Sequence, residues 1–304
     1  MRIKLNNKTI SAEIDTHGAE LKSAKIGDRE YMWCGDAKFW GRTSPVLFPF
    51  VGAVAEGKYR HDGKTYDMGQ HGFARDCEFE CTENTDDKAV FVLKSDENTL
   101  KKYPFDFELQ ISYELKDNTI SVAWLVKNTG SATMPFSIGA HPAFNCELDE
   151  KGTLEGNKVI LGDSEVGQEA GKKDISYSGK SLIIRKFHDP LAANETYEFT
   201  PEDGKIIVDE HTFDGGAIIL EDKQITSAGI MDAAGNIFVR VDFEAPLIGI
   251  WSPTGKNAPF ICLEPWYGRA DAEGFNGELS EREHGQLLSA DDTFDAKYTI
   301  SLFE

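Results

Sequence analysis

Residues 105–115 read Phe-Asp-Phe-Glu-Leu-Gln-Ile-Ser-Tyr-Glu-Leu, and apolar and polar side chains alternate there without interruption. Successive side chains of a β-strand point to opposite faces of the sheet, so every apolar residue of this stretch falls on one face. Strict alternation is typical of antiparallel strands that have one face on a core and the other in water. The stretch therefore predicts one long, half-exposed antiparallel strand.

The same period of two recurs along most of the chain. Lys116–Thr119 predicts a turn, and Ile120–Val126 predicts the strand that pairs with the first one. Further segments with strand patterns are Thr9–Ile14, Glu20–Ile26, Lys88–Leu93, Gly204–Val208, Ala217–Leu220, Ile225–Met231, Ile237–Phe243, Leu247–Trp251, Phe260–Glu264 and Tyr298–Phe303. Because so many amphipathic strands need partners, we expect an all-β antiparallel β-sandwich of two large sheets packed face to face.

Helical patterns are scarce. Asp96–Lys102 and Glu278–Gln286 could each form a turn or two, and no segment carries an amphipathic stripe over three turns. Asp149–Ser181 is rich in Gly, Lys, Asp and Glu and predicts loop with short strands. Since no change in composition divides the chain, we expect a single domain over residues 1–304.

The formal net charge of −20 at pH 7 limits the partners that this protein can bind. Nucleic acids and anionic membranes are bound through basic surfaces, so neither is an expected partner. The first residues contain no apolar signal-peptide core, and no run approaches 18 apolar residues, from which we expect a cytoplasmic location. The five cysteines form no CxxC pair and indicate reduced thiols.

Residues 137–145 read Ser-Ile-Gly-Ala-His-Pro-Ala-Phe-Asn, which places His141 before a proline with no charged residue nearby. Pro142 disfavours the α conformation for His141 and so restricts the direction of its ring. Because histidine exchanges a proton near neutral pH, His141 is a candidate acid or base. A core histidine bonded to a backbone carbonyl is the alternative.

Residues 259–271 read Pro-Phe-Ile-Cys-Leu-Glu-Pro-Trp-Tyr-Gly-Arg-Ala-Asp, a second stretch with the same design. Strand alternation puts Glu264 on an otherwise apolar face, where a carboxylate is costly unless it is paired or catalytic. Trp266 and Tyr267 follow at once and offer aromatic faces to a ligand. These features favour acid–base chemistry on a sugar ring. A salt bridge between Glu264 and Arg269 is the alternative.

Three further residues are candidates for ligand contact. Arg42 could bond a sugar hydroxyl or a phosphate, or it could form a structural ion pair. His71 lies in a Gly-assisted turn at a strand entrance, a position that often carries function. Asp214 lies in a Phe-Asp-Gly-Gly turn, for which a structural role is favoured on local grounds. The remaining histidines lie among polar residues and are expected at the surface: His17, His61, His188, His211 and His284.

Several kinds of chemistry find no support in the sequence. It contains no nucleotide-binding glycine loop, zinc-protease motif or serine nucleophile elbow. His71 and His141 are far apart in sequence and have no metal-ligand spacing. We therefore expect neither a cofactor nor a metal.

Four segments taken together resemble the aldose 1-epimerase (galactose mutarotase) family, most closely its LacX-like branch. In the family's order, they are Arg42 with Ser44-Pro-Val-Leu-Phe-Pro49, His71-Gly-Phe-Ala-Arg75, Gly139-Ala-His-Pro-Ala-Phe144 and Glu264-Pro-Trp-Tyr-Gly268. The resemblance extends from Ile10 to the carboxy terminus. It implies a β-supersandwich with a sugar cleft across one sheet.

The resemblance also implies roles for single residues. Glu264 is similar to the catalytic base of the family, His141 to its catalytic acid, and His71 to a second histidine near the ring oxygen. Arg42 and Asp214 are similar to substrate-binding positions. Galactose-specific members carry an Asn-x-x-His-Gly loop at the position of His71 and Gly72, and this chain departs from it, so the hexose stays open.

The chemistry follows from the structure of a cyclic aldose, which is a hemiacetal. Interconverting its α and β anomers requires the ring to open: a base removes the proton from O1 while an acid protonates the ring oxygen O5. The C1 aldehyde then rotates and closes on its other face. One carboxylate and one histidine are sufficient, so the sequence predicts a mutarotase for a small-molecule sugar.

Two other functions stay open at this point. A glycoside hydrolase would use Glu264 and Asp214 as its carboxylate pair and would release a new reducing end. A non-catalytic carbohydrate-binding or regulatory protein would keep Trp266, Tyr267 and Arg42 but would tolerate the loss of the acid and the base.

Sugar phosphates are a related possibility, because an arginine fork is the natural binding site for a phosphate. The motif-bearing stretches contain three arginines, Arg42, Arg75 and Arg269. Arg75 and Arg269 each have an acidic residue close by in the sequence, and Arg42 has none. One free arginine and a net charge of −20 predict that neutral aldoses are preferred over their 6-phosphates.

Overall fold

The structure, a computed structural model, describes residues 1–163 and 170–304. The first half of the described strands is β1 (Arg2–Asn6), β2 (Ile10–Asp15), β3 (Glu20–Ile26), β4 (Arg29–Glu30), β5 (Val46–Leu47), β6 (Lys58–His61), β7 (Lys64–Asp67), β8 (Glu80–Asn84), β9 (Lys88–Lys94), β10 (Phe107–Lys116), β11 (Thr119–Asn128) and β12 (Met134–Phe136). The second half is β13 (Ile138–Ala140), β14 (Ala143–Asn145), β15 (Lys158–Gly162), β16 (Leu182–His188), β17 (Leu191–Phe199), β18 (Lys205–Ile207), β19 (Ile218–Leu220), β20 (Ser227–Met231), β21 (Ile237–Phe243), β22 (Leu247–Trp251), β23 (Phe260–Tyr267), β24 (Gln286–Leu288) and β25 (Thr293–Leu302). Helical structure in these residues is α1 (Glu97–Lys102) and the 3-10 turns Ala55–Gly57, Ala74–Asp76 and Leu279–Glu281.

Two large antiparallel sheets dominate the fold. One has nine strands in the order β18-β15-β20-β21-β25-β11-β10-β9-β8. The other has eight, in the order β17-β16-β19-β22-β23-β13-β5 with β14 also paired to β23. A four-stranded sheet, β1 to β4, and the pairs β12–β24 and β6–β7 complete the architecture. The predicted all-β antiparallel sandwich is confirmed.

Strand β10 shows how the period of two becomes a core. Leu109 and Ile111 are at most 1% exposed, whereas Gln110 between them is half-buried on the other face. β11 pairs with β10 along its length and places Trp124 opposite Ile111. These apolar side chains share one hydrophobic cluster with Leu263 of the eight-stranded sheet, so the two large sheets pack over a common core. Because burial of each such side chain contributes about 1.5–3 kcal/mol, a one-residue slip of register would be strongly destabilising.

The helix predicted at Asp96–Lys102 forms as α1. The Asp96 carboxylate caps it by accepting two backbone N–H groups at 2.8 Å each. The helix predicted at Glu278–Gln286 is wrong beyond a single 3-10 turn. His284 adopts a φ of 59°, which no helix continues, and Gln286 begins β24, which pairs with β12.

The long polar stretch Asp149–Ser181 contains strand β15, and residues 164–169 lie outside the described residues. One hydrophobic cluster joins side chains from Ile3 to Leu302. The single domain over residues 1–304 stays a prediction. Across the described residues, no helix is long and apolar enough to cross a membrane.

Strand β23 positions the candidate site. On one side it pairs with both β13 and β14, and the two residues between those strands are His141 and Pro142. Gly139 lies opposite Trp266, and the same register continues into β14. His141 is therefore brought opposite Glu264.

The two faces of β23 have different environments. Ile261 and Leu263 point into the common core and are fully buried. Cys262, Glu264 and Trp266 point to the opposite face of the eight-stranded sheet, called the site face below. Two smaller apolar clusters, one around Cys262 and one around Trp266, form on the site face.

Candidate active site

His141 and Glu264 form a buried pair on the site face. Nε2 of His141 lies 3.3 Å from Oε2 of Glu264, and the two side chains are 9% and 2% exposed. Arg269, the alternative partner of Glu264, instead donates to Glu221 at 2.6 Å. The alternative of a salt bridge from Arg269 to Glu264 is therefore wrong, and the close neighbour of Glu264 is an imidazole.

Burial governs the protonation of this pair. It raises the pKa of Glu264 well above the ordinary value of 4.5. Burial, reinforced by the positive charges of Arg75 and Arg42, lowers the pKa of His141 to about 3. At a pH between the pKa of His141 and the pKa of Glu264, the pair in the free protein holds one proton. A pair in that state can accept one proton and donate another.

Aromatic rings hold the His141 imidazole in place. Trp40 stacks on it with a centroid distance of 4.6 Å, and Trp251 and His71 meet it edge-on at 5.5 and 5.6 Å. Nδ1 of His141 is buried, and a weak contact with the backbone of His141 itself raises the pKa of the ring against the effect of burial, so the alternative of a histidine bonded to a carbonyl stays open. The packing keeps Nε2 directed at Glu264.

His71 reaches the pair from a strained turn. Its φ is 67° and that of Gly72 is 70°, and a Cβ at Gly72 would lie 2.3 Å from the carbonyl oxygen of Phe48. The backbone N–H of Gly52 donates to Nδ1 of His71 at 3.1 Å, so the proton of the neutral ring is on Nε2. Burial and the neighbouring His141 lower the pKa of His71 well below its ordinary value. His71 is therefore a neutral hydrogen-bond donor.

The Trp266 indole lies flat against the eight-stranded sheet and forms part of the floor of the site. A Cβ at Gly139 would lie 2.6 Å from its Cδ1, and a Cβ at Gly249 would lie 2.3 Å from its Cη2. Only glycine leaves room for the indole at these two positions on the neighbouring strands. The indole is 6% exposed, and its N–H lies near the Glu264 carboxyl, where it opposes part of the rise in the pKa of Glu264 that burial causes.

Arg42 and Arg75 lie close enough to both histidines for their charges to lower both pKa values. Arg42 donates to the Asp76 carboxylate at 2.8 Å, and Arg75 donates to the Gln70 carbonyl at 2.7 Å. The prediction that Arg42 is free of acidic neighbours is wrong, because the fold brings Asp76 to it from a distant segment. The open alternative of an ion pair at Arg42 is thus correct for one of its nitrogens.

Three potential metal ligands also meet at the pair. His141, Cys262 and Glu264 each offer one ligand atom, and these atoms lie within 4.8 Å of one another. The spacing of residues in the sequence indicates no such cluster, because β13, β14 and β23 come together only in the fold.

This arrangement suits a neutral polyhydroxylated ligand. The His141–Glu264 pair can move protons on ligand oxygens, and His71 can donate to another oxygen. Trp40 and Trp251, which contact the His141 ring, add apolar surface beside the pair that the C–H faces of a sugar ring can use.

Comparison with known proteins identifies the family of this chain. Residues 1–186 match the family described as aldose 1-epimerase. Over 310 aligned positions the chain is 30% identical to protein LacX (plasmid) of Lactococcus lactis subsp. lactis, with 99% of each chain covered. The chain belongs to the aldose 1-epimerase family.

Solved structures similar to this aldose 1-epimerase family member have the same fold. A galactose mutarotase related enzyme from Lactobacillus acidophilus is 31% identical, with a TM-score of 0.89 over 100% of this chain and 98% of its own. A galactose mutarotase-like protein from Lactobacillus casei is also 31% identical, with a TM-score of 0.89 and full coverage of both chains. The resemblance drawn from the four segments is confirmed.

Tyr267 is not on the site face of this epimerase-family chain, which corrects its prediction as a ligand platform. β23 continues through Pro265, so the alternation that faces Glu264 and Trp266 outward turns Tyr267 to the core side. Its ring packs edge-on against Phe294 at 5.1 Å. Burial raises the pKa of its hydroxyl to about 12.

Asp214 lies in the loop before β19, which packs against the segment after β22, where the Thr254 hydroxyl donates to the Phe213 carbonyl. Its carboxylate is 56% exposed and accepts from Nδ1 of His211 at 2.8 Å. The same loop approaches the apolar cluster around Trp266, against which Phe187 packs. A Cβ on Gly216 of this loop would lie 2.8 Å from the Phe187 ring. A role for Asp214 in substrate binding stays a prediction.

Two tryptophans of the site were not identified from the sequence. Trp251 ends the alternation of β22, in which Leu247 and Gly249 share its face, so the period of two is a signal that places it on the site face. Trp40 lies in a loop and has no such signal. The surface prediction for His284 is wrong, because its side chain is only 23% exposed and its ring lies 3.7 Å from Glu221.

Proposed function

We propose that this chain is an aldose 1-epimerase that interconverts the α and β anomers of a neutral hexose by acid–base ring opening. The observation that carries the proposal is the 3.3 Å approach of His141 Nε2 to Glu264 Oε2 in a buried, tryptophan-lined site. O1 and O5 of a cyclic sugar are both bonded to C1. Two groups that lie about one hydrogen-bond length apart can therefore contact both oxygens at once.

The proton balance of the pair matches the reaction. In the sugar complex, the O1 hydroxyl donates to the Glu264 carboxylate, and the single proton of the pair resides on His141. Ring opening takes the O1 proton to Glu264 and delivers the His141 proton to O5, which breaks the C1–O5 bond and leaves an aldehyde. Rotation about C1–C2 presents the other face, and the reverse transfers close the ring. The pair ends in the state in which it began.

Neighbouring residues support these steps without exchanging protons. His71 stays neutral and donates from Nε2, so it can bond a sugar oxygen beside His141. Trp40 stacks on His141 and favours its cationic form through a cation–π interaction, which offsets part of the burial cost. Trp266 and Trp251 offer apolar faces to the sugar ring.

The hydrolase alternative is less well supported. A glycosidase needs a second carboxyl group about 5–9.5 Å from the first, on the other side of the scissile bond. The neighbour of Glu264 is an imidazole, and Asp214 is an exposed residue bonded to His211. A non-catalytic binder would have no reason to bury an ionisable pair at a cost in desolvation.

Polarimetry on freshly dissolved α-anomers of a panel of hexoses tests the proposal. We expect the wild-type protein to accelerate the approach to the equilibrium rotation and to release no new reducing ends from oligosaccharides. Sugar binding without acceleration would identify a binding protein, and new reducing ends would identify a hydrolase.

A further inference from the structure

We propose that His141, Cys262 and Glu264 form an inhibitory site for a borderline-soft divalent cation, with Zn²⁺ as the representative ion. Only the inhibition rests on the proposed function, because the binding of the ion follows from the ligand geometry alone.

The geometry is close to that of a zinc site. Zinc bonds of about 2.0–2.3 Å to nitrogen, oxygen and sulfur place tetrahedral ligand atoms about 3.3–3.6 Å apart. His141 Nε2 and Glu264 Oε2 already lie 3.3 Å apart. The three ligand atoms, including that of Cys262, all lie within 4.8 Å of one another, so small side-chain rotations suffice.

The backbone pre-organises these ligands. Cys262 and Glu264 are two residues apart on β23 and so share the site face. Ala143, which lies opposite Cys262, fixes the segment that carries His141, and Trp40 stacks on the imidazole. The ion would therefore meet ligands that are already on one side of the sheet.

The ligand types select the metal. A thiolate, an imidazole and a carboxylate together favour Zn²⁺ and related transition metals over Mg²⁺ and Ca²⁺, which prefer oxygen ligands. Three protein ligands leave a fourth position to water. Binding releases the protons of the Cys262 thiol and the Glu264 carboxyl, since both must be deprotonated to ligate.

Inhibition follows because the ion would take both proton-exchanging groups. Nε2 of His141 could no longer protonate O5, and Glu264 could no longer accept the O1 proton. The ion and the sugar would compete for the same two groups, so inhibition should be relieved by more sugar and by EDTA.

Cobalt absorption tests the binding without any activity assay. Co²⁺ bound by a thiolate has a near-ultraviolet charge-transfer band, which we expect in the chelator-treated wild-type protein. The band should be lost in Cys262→Ala and kept in Cys146→Ala, a control that also removes a buried thiol. Absence of the band in the wild type, or its persistence in a folded Cys262→Ala, would overturn the proposal. If Cys262→Ala does not fold, Glu264→Gln is the second variant, because it removes another of the three ligands. Its Co²⁺ affinity should fall, and an unchanged affinity would overturn the proposal.

A zinc titration tests the inhibition. The rate of each variant in Zn²⁺ is divided by its own zinc-free rate, so that differences in basal activity do not affect the comparison of half-inhibitory concentrations. We expect the half-inhibitory concentration to rise at least about tenfold in Cys262→Ala, because even a change behind a metal ligand lowers metal affinity about 10–100-fold. It should stay unchanged in Cys34→Ala, which removes an exposed thiol. Equal zinc sensitivity in the wild type and Cys262→Ala would contradict the proposal. If the protein has no mutarotase activity, the proposed function fails while the cobalt band still decides the binding.

Discussion

Nε2 of His141 lies 3.3 Å from Oε2 of Glu264, although the two residues come from distant parts of the sequence. The pairing of β13 and β14 with one strand, β23, brings them face to face. Neither residue is exposed enough for water to stabilise a charge, so their protonation states are coupled. The chemistry of the site therefore depends on how the pair shares its proton.

The pH dependence of kcat/KM should report this sharing. Burial lowers the pKa of His141, so the second proton binds only as the pH approaches about 3, and the acid limb should lie there. Burial raises the pKa of Glu264, so the alkaline limb should lie well above 4.5. In polarimetry the rate should therefore be flat from just above pH 3 up to that alkaline limb. An acid limb at 6.5, the ordinary histidine value, would show that His141 is not desolvated in the working protein.

The strands were predictable because their pattern depends on local sequence. Each residue of the stretch 105–115 has a side chain whose polarity matches its face, and β10 forms there with alternating burial. His141 and Glu264 could be singled out because each precedes a proline and because each lies in a recognisable segment. Their contact could not be predicted, since it depends on the register between distant strands.

The errors have physical causes of the same kind. The predicted strand covers Phe260–Glu264, but β23 continues to Tyr267, and strand alternation turns that ring away from the site. Arg42 was judged by its neighbours in sequence, whereas its partner Asp76 is a neighbour only in space. Trp40 could not be found because a loop has no periodicity that fixes the direction of a side chain.

Tyr267→Phe should leave kcat and KM of mutarotation within about twofold of the wild type, because it removes no group that faces the sugar. Trp266→Phe, the matched change on the site face, should raise KM by more, since it reduces the aromatic floor. Steady-state polarimetry on both variants checks this. A large loss of activity in Tyr267→Phe, with normal activity in Trp266→Phe, would contradict the assignment of the sugar to the site face of β23.

Gly72→Ala should destabilise the protein more than Gly63→Ala. Both glycines have a φ near +70°, and alanine in that region costs about 1–3 kcal/mol. The added Cβ at Gly72 would also lie 2.3 Å from the Phe48 carbonyl oxygen, whereas the one at Gly63 meets nothing within 4 Å. Urea unfolding gives the two free energies of unfolding. Equal losses would mean that the turn holding His71 adjusts freely.

Neutral aldoses should be preferred over their 6-phosphates. Arg42 donates from one nitrogen to Asp76 and Arg75 donates from one nitrogen to the Gln70 carbonyl, so each has part of its guanidinium already occupied, which weakens a fork on a phosphate. kcat/KM for glucose should exceed that for glucose 6-phosphate, and Asp76→Asn should narrow the gap a few-fold by releasing Arg42. A wild-type preference for the phosphate ester would show that another cation binds it.

The most direct measurement is the exchange of α and β anomers at equilibrium, followed by two-dimensional NMR exchange spectroscopy in wild-type and variant protein. Glu264→Gln should lower the enzyme-catalysed exchange rate by at least about 100-fold, the loss expected when a general base is removed, while the fold is retained. Glu273→Gln makes the same change in an exposed histidine–glutamate pair, with His188 at 2.9 Å, and should exchange at the wild-type rate. Near-wild-type exchange in Glu264→Gln would contradict the account.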